Sequence, residues 1–443
     1  MWHRKVREMD FPNFVNRHSL YLKPDPARVV VRPFKPATEP RDLNPTDKTR
    51  ANHIVDRVLA LNPKDAEELL TEVLKNFQGR HRNLLERFEN REAEMEDIFK
   101  VHDKFSYVQR RLIGAYFMHE YSFEASALFN PSIVADPDQS LAPAGGLRFI
   151  LSLRAVGEGH ISSLTFRSGL IDSDGTISID PSARLATLPR ITKRTHSANG
   201  DSVTVEFNTE SELSERIIFP ITDSQSNGIE DARFVCFTDQ GESIFYATYT
   251  AYTGRAIRSE LITTRDFLSF QMIPMQGAAS QNKGMCLFPR RMNGHYAMIG
   301  RQDNENLYLM YSDDLSHWET GKPILRPQFP WEFVQIGNCG SPIELNEGWL
   351  LFTHGVGPVR RYSIGAVLLD KSDPSIVLAR SPEPIVHPDP SEREGYVPNV
   401  VYTCGAIAHA GQIILPYGIS DTYSTFATIK IEAILRAMRA PNT

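Results

Sequence analysis

The chain has 443 residues, of which 41% are hydrophobic and 23% are charged, and its formal net charge is −6. This length is enough for a sizeable core and for more than one compact unit. Lysine and arginine are spread along the chain and form no basic stripe, so we do not expect nucleic acid as a partner.

The first residues and the cysteines bear on location and cofactors. The opening stretch MWHRKVREMDFPNFVNRHS is charged and lacks the apolar run of a signal peptide, and no later segment has 18 uninterrupted apolar residues. We therefore expect a cytoplasmic protein that does not bind membranes. The four cysteines show no metal-ligand spacing, and the residue clusters indicate neither a metal nor an organic cofactor.

Residues 1–125 divide into two segments of different character. Residues 1–45 are predicted to form an N-terminal arm with one strand, because the stretch 20–36 holds a short β-branched run between prolines. Residues 46–125 are rich in Leu, Glu, Arg, Lys and Ala, with apolar residues at helical spacing. Asn62 and Pro63, followed by Asp65, are typical of a helix start. We expect a helical module here.

Residues 126–443 show a repeated pattern of strand, glycine-containing turn and strand. Four units open on a cysteine (Cys236, Cys286, Cys339 and Cys404), and residues 147–169 form a looser fifth copy. The cysteines lie 50, 53 and 65 residues apart, a period that fits one propeller blade per unit better than a sandwich. We predict an all-β five-bladed β-propeller with an N-terminal helical module and a C-terminal helix. The cysteines are expected to be small buried residues of inner strands.

Charged or polar residues recur at the strand ends of successive units. They are Arg154, Asp231, Arg301, His354 and Asp421. Taken alone, such residues also have structural explanations. Glu230 and Arg233 can form an ion pair beside Asp231, His354 can be a turn histidine, and Asp421 can be a cap. Because the inner strand ends of a propeller converge on its central channel, we expect the five to line one pocket.

Four segments, in this order, resemble glycoside hydrolase family 130, the five-bladed propellers that comprise β-mannoside phosphorylases and β-mannosidases. They are GIEDARF (228–234), NKGMCLFPRRMNGHYAMIGR (282–301), GNCGSPIELNEGWLLFTHGVG (337–357) with RYSIGAVLLD (361–370), and LPYGISDT (415–422). The resemblance covers residues 125–430.

The resemblance implies roles for particular residues. Asp231 would be the single general acid, acting through a hydroxyl of the mannosyl unit, and the reaction would invert the anomeric centre. Asp421, Asn130 and Arg154 would line the mannose subsite. Ala232 stands where the family has proline, which alters the turn and leaves the acid in place. Inverting cleavage needs a proton donor on one side of the anomeric carbon and a nucleophile on the other.

The nucleophile separates the two activities of the family. A phosphorylase needs cations that hold phosphate, and we expect an Arg-Asn pair, a lysine and a histidine at matching positions. Here Gln281 and Asn282 occupy the positions of the Arg-Asn pair, and Gln335 occupies the position of the lysine. Of the expected cationic groups, only Arg301 and His354 are present. Each lost cation costs about 1.5–3 kcal/mol, or a factor of about ten to a hundred in phosphate affinity. Lys283 compensates only if its side chain turns inward.

We therefore expect an inverting glycoside hydrolase that releases mannose from β-mannosides, in particular β-1,2-linked manno-oligosaccharides. Two alternatives stay open: a β-mannoside phosphorylase that uses inorganic phosphate and releases mannose 1-phosphate, and a non-catalytic propeller that binds glycans or proteins. A hydrolase also needs a general base. The candidates are Glu332 in PWEFVQIG and Glu394 in SEREGYVPN, and Glu392 is an alternative to Glu394 in the same loop.

The predicted site thus has two groups of residues. The catalytic candidates are Asp231, Glu332 and Glu394. The substrate-binding candidates are Asn130, Arg154, Glu230, Arg233, Asn282, Lys283, Arg301, Gln335, His354 and Asp421. Trp331 is a candidate for a sugar-stacking ring or for a core residue. The helical module is a candidate for covering one end of the propeller, for shaping a distal sugar subsite, or for homo-oligomer formation.

Overall fold

The structure is a computed structural model that describes residues 12–37, 48–99 and 105–440. These residues belong to two compact units. The larger unit contains residues 12–25, 124–182 and 188–440, and the smaller one contains 26–37, 48–99, 105–123 and 183–187. These boundaries differ from the predicted ones at 45 and 125. The reason is that the N-terminal segment holds two strands, Val15–Arg17 and Val29–Pro33, which pair within different units.

The smaller unit consists of four helices and one two-stranded sheet. The helices are Arg50–Leu59, Pro63–Phe77, Leu84–Phe99 and Tyr107–Tyr116, and the sheet pairs Val29–Pro33 with Met118–Ser122. Side chains that accept the first free backbone N–H groups start three of the helices. Asn62, for example, accepts from the backbone of Asp65 at 2.9 Å, with Pro63 in the first turn. Within the described ranges, no helix is both long and apolar enough to cross a membrane.

Antiparallel sheets make up the larger unit. One four-stranded sheet has the order Cys286–Leu287, Tyr296–Gly300, Leu307–Ser312 and Lys322–Leu325. A second sheet has the order Gln335–Asn338, Trp349–Val356, Tyr362–Leu369 and Val377–Arg380, with Ile343–Glu344 beside Trp349–Val356. A third has the order Val15–Arg17, Tyr423–Lys430, Gln412–Ile419 and Val401–Tyr402, with Ile407–His409 beside Gln412–Ile419. The helix Ile431–Ala437 follows the last strand.

The remaining sheet has eleven strands. The first half of its path has the order Ala127–Ala135, Leu147–Val156 and Ser162–Ile171, with Ile177–Ile179 and Ile217–Ile218 paired to Ser162–Ile171. The second half has the order Gly228–Asp239, Glu242–Tyr252, Ile257–Thr264, Ser269–Pro274, Ser202–Glu206 and Arg190–Thr195. Its halves meet through one parallel pair, Gly228 with Ser162, so they are two separate antiparallel meanders. The larger unit therefore contains five meanders, and the predicted all-β architecture is confirmed.

Trp331 packs against the meander of residues 335–380, the fourth in chain order. Its indole lies against Gly355 and Gly365, where an added Cβ would come within 2.4 and 2.5 Å of the ring. The indole N–H donates to the carbonyl of Pro382 at 3.1 Å. The two glycines thus make room for the ring, and Trp331 is a packed side chain and not a sugar-stacking platform.

Gly355→Ala is expected to destabilise the protein, because the new methyl group overlaps the Trp331 ring and overpacking costs about 1–3 kcal/mol. Chemical denaturation of both proteins, followed by tryptophan fluorescence, measures this loss. Gly79→Ala is the control, because its Cβ meets no atom within 4 Å. Equal stability of the Gly355→Ala protein and the parent would contradict this packing.

Candidate active site

One polar cavity in the larger unit collects side chains from all five meanders. It is lined by Asn130, Arg154, Asp231, Arg233, Thr250, Lys283, Gly284, Arg301, Gly337, Asn338, His354, Arg360, Tyr362, Val397, Val400, Tyr402 and Asp421. The five strand-end residues expected to share a pocket are all among them. The sequence pattern therefore located the strand ends that meet at the cavity.

The backbone at three of these positions is unusual. Asn130 and Asp231 lie where the pairing register shifts, with φ of 49° and 53°, and Asp421 has φ of 48° in the turn before Tyr423–Lys430. Left-handed backbone is uncommon outside glycine, and asparagine and aspartate adopt it most readily. Bulges of this kind re-aim a side chain, and they are frequent next to functional sites. The local sequence therefore turns all three polar side chains into the cavity.

One side of the cavity holds carboxylates that are already paired. The Asn130 side-chain amide donates to Oδ1 of Asp231 at 2.7 Å. Arg154 donates to Glu230 at 2.7 Å and reaches Asp231 at 3.4 Å. The alternative ion pair of Glu230 with Arg233 is thus replaced, because Arg154 occupies the Glu230 carboxylate.

The two carboxyl groups of the cavity differ in pKa. Burial acts to raise the pKa of Asp231, but the charges of Arg154 and Lys283 and the hydrogen bond from Asn130 hold it below its ordinary value. Burial raises the pKa of Asp421 to about 6, opposed by Arg154 and reinforced by the Asp231 charge. Such divergence between neighbouring acids is typical of functional sites.

The other side of the cavity is cationic. Arg233, Lys283, Arg301 and Arg360 line it, and no carboxylate in the described ranges forms an ion pair with any of these four. The Arg233 guanidinium is held by neutral acceptors, the carbonyl of Asn338 at 3.1 Å and the hydroxyl of Tyr402 at 2.7 Å. Nε of Arg301 is buried without a hydrogen-bond partner. These cations leave positive charge available to an anionic ligand.

His354 lies among these cations as a neutral side chain. Burial lowers the pKa of His354 well below its ordinary value, and the nearby charges of Arg301 and Arg233 add to the effect. Its Nδ1 lies 3.2 Å from the carbonyl oxygen of Asn338, which can only accept, and 3.7 Å from Sγ of Cys339; the shorter contact favours the tautomer with the proton on Nδ1. The ring stacks on Tyr362 with 5.9 Å between centroids. Nε2 is therefore a hydrogen-bond acceptor.

Two candidate bases lie outside the cavity, and the structure corrects both. Glu332 is completely buried and accepts from Arg380 at 2.6 Å and from two backbone N–H groups. Burial raises the pKa of Glu332 against the opposing charge of Arg380. This carboxylate has a structural partner and does not line the cavity. Glu394 is exposed and does not line the cavity, and Glu392 is buried elsewhere.

Three substrate-binding candidates also do not line the cavity. Glu230 contacts it only through Arg154. The Asn282 side chain is bonded to Asn304 at 2.9 Å and supports the backbone of Lys283. Gln335 begins the strand Gln335–Asn338 and is not a lining residue.

Sequence reasoning missed Asn338, Tyr402, Arg360, Tyr362 and Thr250. A signal for several of them was present in the cysteine repeat. Arg233 and Lys283 stand three residues before a repeated cysteine, Tyr402 stands two before and Asn338 stands one before. All four line the cavity. The positions just before each cysteine therefore mark the cavity as clearly as the strand ends do.

The chain belongs to glycoside hydrolase family 130. The model of this family, described as beta-1,4-mannooligosaccharide phosphorylase, matches residues 190–440. A 1,2-beta-oligomannan phosphorylase of Thermoanaerobacter sp. (strain X514) is 36% identical over 220 residues, covering 48% of this chain and 72% of the relative. A beta-1,2-mannobiose phosphorylase of Listeria innocua is 32% identical over 231 residues, covering 50% and 63% respectively.

Solved structures share the fold. A beta-1,2-mannobiose phosphorylase from Listeria innocua, in complex with beta-1,2-mannobiose, aligns with a TM-score of 0.50 and 24% identity over 70% of this chain and 92% of that one. A glycosyl hydrolase from Bacteroides ovatus aligns with a TM-score of 0.51 and 18% identity over 73% and 88%.

The prediction of a hydrolase as the main activity is wrong on these findings, because the curated relatives are named as phosphorylases. The error has a physical source. Phosphate binding was judged from Gln281 and Gln335, yet neither lines the cavity, and Gln281 borders a separate groove. Lys283, Arg233 and Arg360 line the cavity instead.

Asp421→Asn is expected to stabilise the protein increasingly as the pH rises. The folded state binds the Asp421 proton more tightly than the unfolded chain does. The free energy of unfolding of the parent therefore falls between about pH 4 and pH 6 and stays lower above pH 6. A shift of about two units corresponds to about 3 kcal/mol. Thermal unfolding at pH 5 and pH 8 measures the gain, which should be larger at pH 8. A gain that is equal at both pH values would contradict a raised pKa of Asp421.

Proposed function

We propose that this chain is an inverting β-mannoside phosphorylase that transfers a mannosyl unit from β-1,2-linked manno-oligosaccharides to inorganic phosphate, giving mannose 1-phosphate. One observation carries the proposal: four cations that form no ion pair with a carboxylate of the described residues line the same cavity as Asp231. A hydrolase needs no such cluster, whereas a phosphorylase must hold an anionic nucleophile. The choice of β-1,2 linkages rests on the names of the two relatives that are 36% and 32% identical.

We infer further that the five meanders are the blades of a five-bladed propeller. Support comes from hydrogen bonds between the first and last meanders. The N–H of Leu128 donates to the carbonyl of Thr422 at 2.9 Å, and the N–H of Cys404 donates to that of Pro131 at 2.8 Å. The strand Val15–Arg17 completes the last meander. All cavity residues belong to the larger unit, so the proposal assigns the activity to that unit alone.

In the proposed reaction, a phosphate oxygen attacks the anomeric carbon while the bond to the leaving mannoside oxygen breaks. The proton of Asp231 passes through a hydroxyl of the mannosyl unit and ends on the leaving oxygen. The free enzyme keeps Asp231 ionised through Arg154, Lys283 and Asn130. Bound phosphate offsets the positive charge of Lys283, so the pKa of Asp231 rises when both substrates are present.

The paired side of the cavity is proposed to hold the mannosyl unit. Asn130, Arg154 and Asp421 offer hydrogen bonds to its hydroxyl groups. The left-handed backbone at Asn130, Asp231 and Asp421 fixes the three side chains before the sugar arrives. Such preorganisation lowers the entropy that binding would otherwise cost.

The cationic side is proposed to hold phosphate, with His354 contributing differently from the arginines. Its Nε2 can only accept, so it suits the P–OH group of hydrogen phosphate, while Arg301 and Lys283 donate to the charged oxygens. The neutral ring also adds no positive charge to a site in which Arg301 and Arg233 already disfavour a protonated histidine.

Asp231→Asn is expected to lower the phosphate-dependent release of mannose 1-phosphate from β-1,2-mannobiose by a factor of about 10²–10⁴, because the variant cannot supply the proton. A coupled assay for mannose 1-phosphate measures the rate. Asp239→Asn is the matched control, since Asp239 ends the same strand and pairs with Arg291 away from the cavity. The proposal fails if the parent releases only mannose, at a rate that does not depend on phosphate.

Arg301→Gln is expected to raise the KM for phosphate about tenfold to a hundredfold, because one charge-assisted hydrogen bond is lost. The KM for β-1,2-mannobiose should change much less. Initial rates at varied phosphate concentration measure the effect. Arg290→Gln is the control, because Arg290 belongs to the same meander as Arg301, pairs with Glu344 of the next meander and does not line the cavity. Equal increases in both KM values would argue against a phosphate contact at Arg301.

A further inference from the structure

The smaller unit contains a cavity that shares no lining residue with the candidate active site. Its volume is about 220 Å³, and all of its described lining residues belong to that unit. Three helices and both strands of the two-stranded sheet contribute apolar side chains to its wall. These include Val31, Val73, Leu84, Phe88, Leu112 and Met118. Most of them are buried, whereas Phe77 and Tyr116, which also line the cavity, are exposed. The cavity thus combines a buried apolar interior with two aromatic rings at the surface.

Two linked polar side chains, Glu120 and His81, interrupt this apolar wall. Glu120 accepts two hydrogen bonds from the Arg80 guanidinium, at 2.7 and 3.1 Å, and its Oε1 lies 2.7 Å from Nε2 of His81. Burial acts to raise the pKa of Glu120, but the hydrogen bonds and charges of Arg80 and His81 hold it below its ordinary value. The carboxyl group is therefore ionised at neutral pH, and it can only accept hydrogen bonds.

His81 keeps one ring nitrogen for a ligand. Its side chain is only 2% exposed, and burial lowers its pKa, so the ring is neutral. Because the Glu120 carboxylate can only accept, the single ring proton lies on Nε2, and Nδ1 is left as an acceptor. No donor among the described residues forms a hydrogen bond with Nδ1. A buried acceptor without a donor is unfavourable, so the cavity favours a ligand that supplies one.

The size of the cavity indicates what kind of molecule fits. An apolar cavity of about 150 Å³ is large enough to bind benzene. The volume of 220 Å³ therefore admits one or two fused rings. A mannoside suits this cavity poorly, because the apolar wall would leave most of its hydroxyl groups unpaired. A phosphate suits it no better, because the ionised Glu120 repels an anion.

We propose that the cavity of the smaller unit binds a small planar molecule that has an apolar ring system and one hydrogen-bond donor. The donor group meets Nδ1 of His81, and the ring system lies among the apolar side chains of the wall. Phenols and indoles belong to this chemical class. The site is separate from the proposed function, because it shares no residue with the cavity that contains Asp231.

Binding of indole and of benzofuran to the full chain, measured by ligand-observed NMR titration, tests the site. The two bicyclic molecules have nearly the same shape, but only indole carries an N–H group. Indole is expected to bind with a Kd of about 0.1–1 mM. Benzofuran is expected to bind about three- to tenfold more weakly, because it leaves Nδ1 of His81 without a donor.

Two variants locate the binding. Ala115→Leu fills the cavity and is expected to weaken indole binding at least tenfold. Ala60→Leu is its control, because Ala60 is an exposed alanine that follows the helix Arg50–Leu59 and does not line the cavity. His81→Phe keeps a planar ring and removes the acceptor, so it should abolish the preference for indole over benzofuran. A purely structural histidine would leave that preference unchanged.

Three results would overturn the inference. They are the absence of binding of either molecule to the parent, equal affinities of the parent for both molecules, and a His81→Phe protein that still prefers indole. Parent-like binding of indole by Ala115→Leu would place the molecule elsewhere and would also overturn it. Because the readout is binding and not turnover, none of these results bears on the proposed phosphorylase activity.

Discussion

The buried guanidinium of Arg233 is the interaction on which the cavity depends. It joins three meanders, because it extends from the strand Gly228–Asp239 to the carbonyl of Asn338 and the hydroxyl of Tyr402. Three thiols, of Cys286, Cys339 and Cys404, lie close enough to share its electrostatic environment. Burial raises the pKa of Cys286 and Cys339 to about 12, so these thiols stay neutral. A buried cation whose hydrogen-bond partners are neutral can still attract an anionic ligand, which would offset the cost of desolvating the cation.

The cavity is consequently divided by charge. On one side Arg154 is matched by Glu230 and Asp231, and on the other Lys283, Arg301 and Arg360 have no carboxylate partner in the part of the chain that the structure describes. A neutral mannosyl unit suits the first side, because its hydroxyl groups exchange hydrogen bonds with paired charges. An anion suits the second. In the proposed reaction, inversion requires the proton donor and the anionic nucleophile to act from opposite faces of the bound sugar.

The sequence predicted the all-β architecture and the strand ends that meet, because the repeat of about fifty residues and the charged positions within it are local patterns. It also yielded the family. It did not predict the set of cations that lines the cavity, since the position of Lys283 in the cavity and those of Gln281 and Gln335 outside it depend on how the meanders pack. The prediction of Glu332 as a general base failed for a related reason. Its partner Arg380 lies 48 residues away, and the spacing between two charges in a sequence does not reveal a buried ion pair. The sequence also did not predict that Val15–Arg17 belongs to the last meander, because this strand pairs with Tyr423–Lys430 near the other end of the chain.

The unpaired cations of the cavity are proposed to hold phosphate as the nucleophile. Phosphorus-31 NMR of the protein with β-1,2-mannobiose and limiting phosphate tests this proposal most directly, since each bond broken must consume one phosphate. We expect the signal of mannose 1-phosphate to replace that of inorganic phosphate, with one free mannose formed for each phosphate consumed. Two free mannoses for each bond broken, with the phosphate signal unchanged, would contradict it.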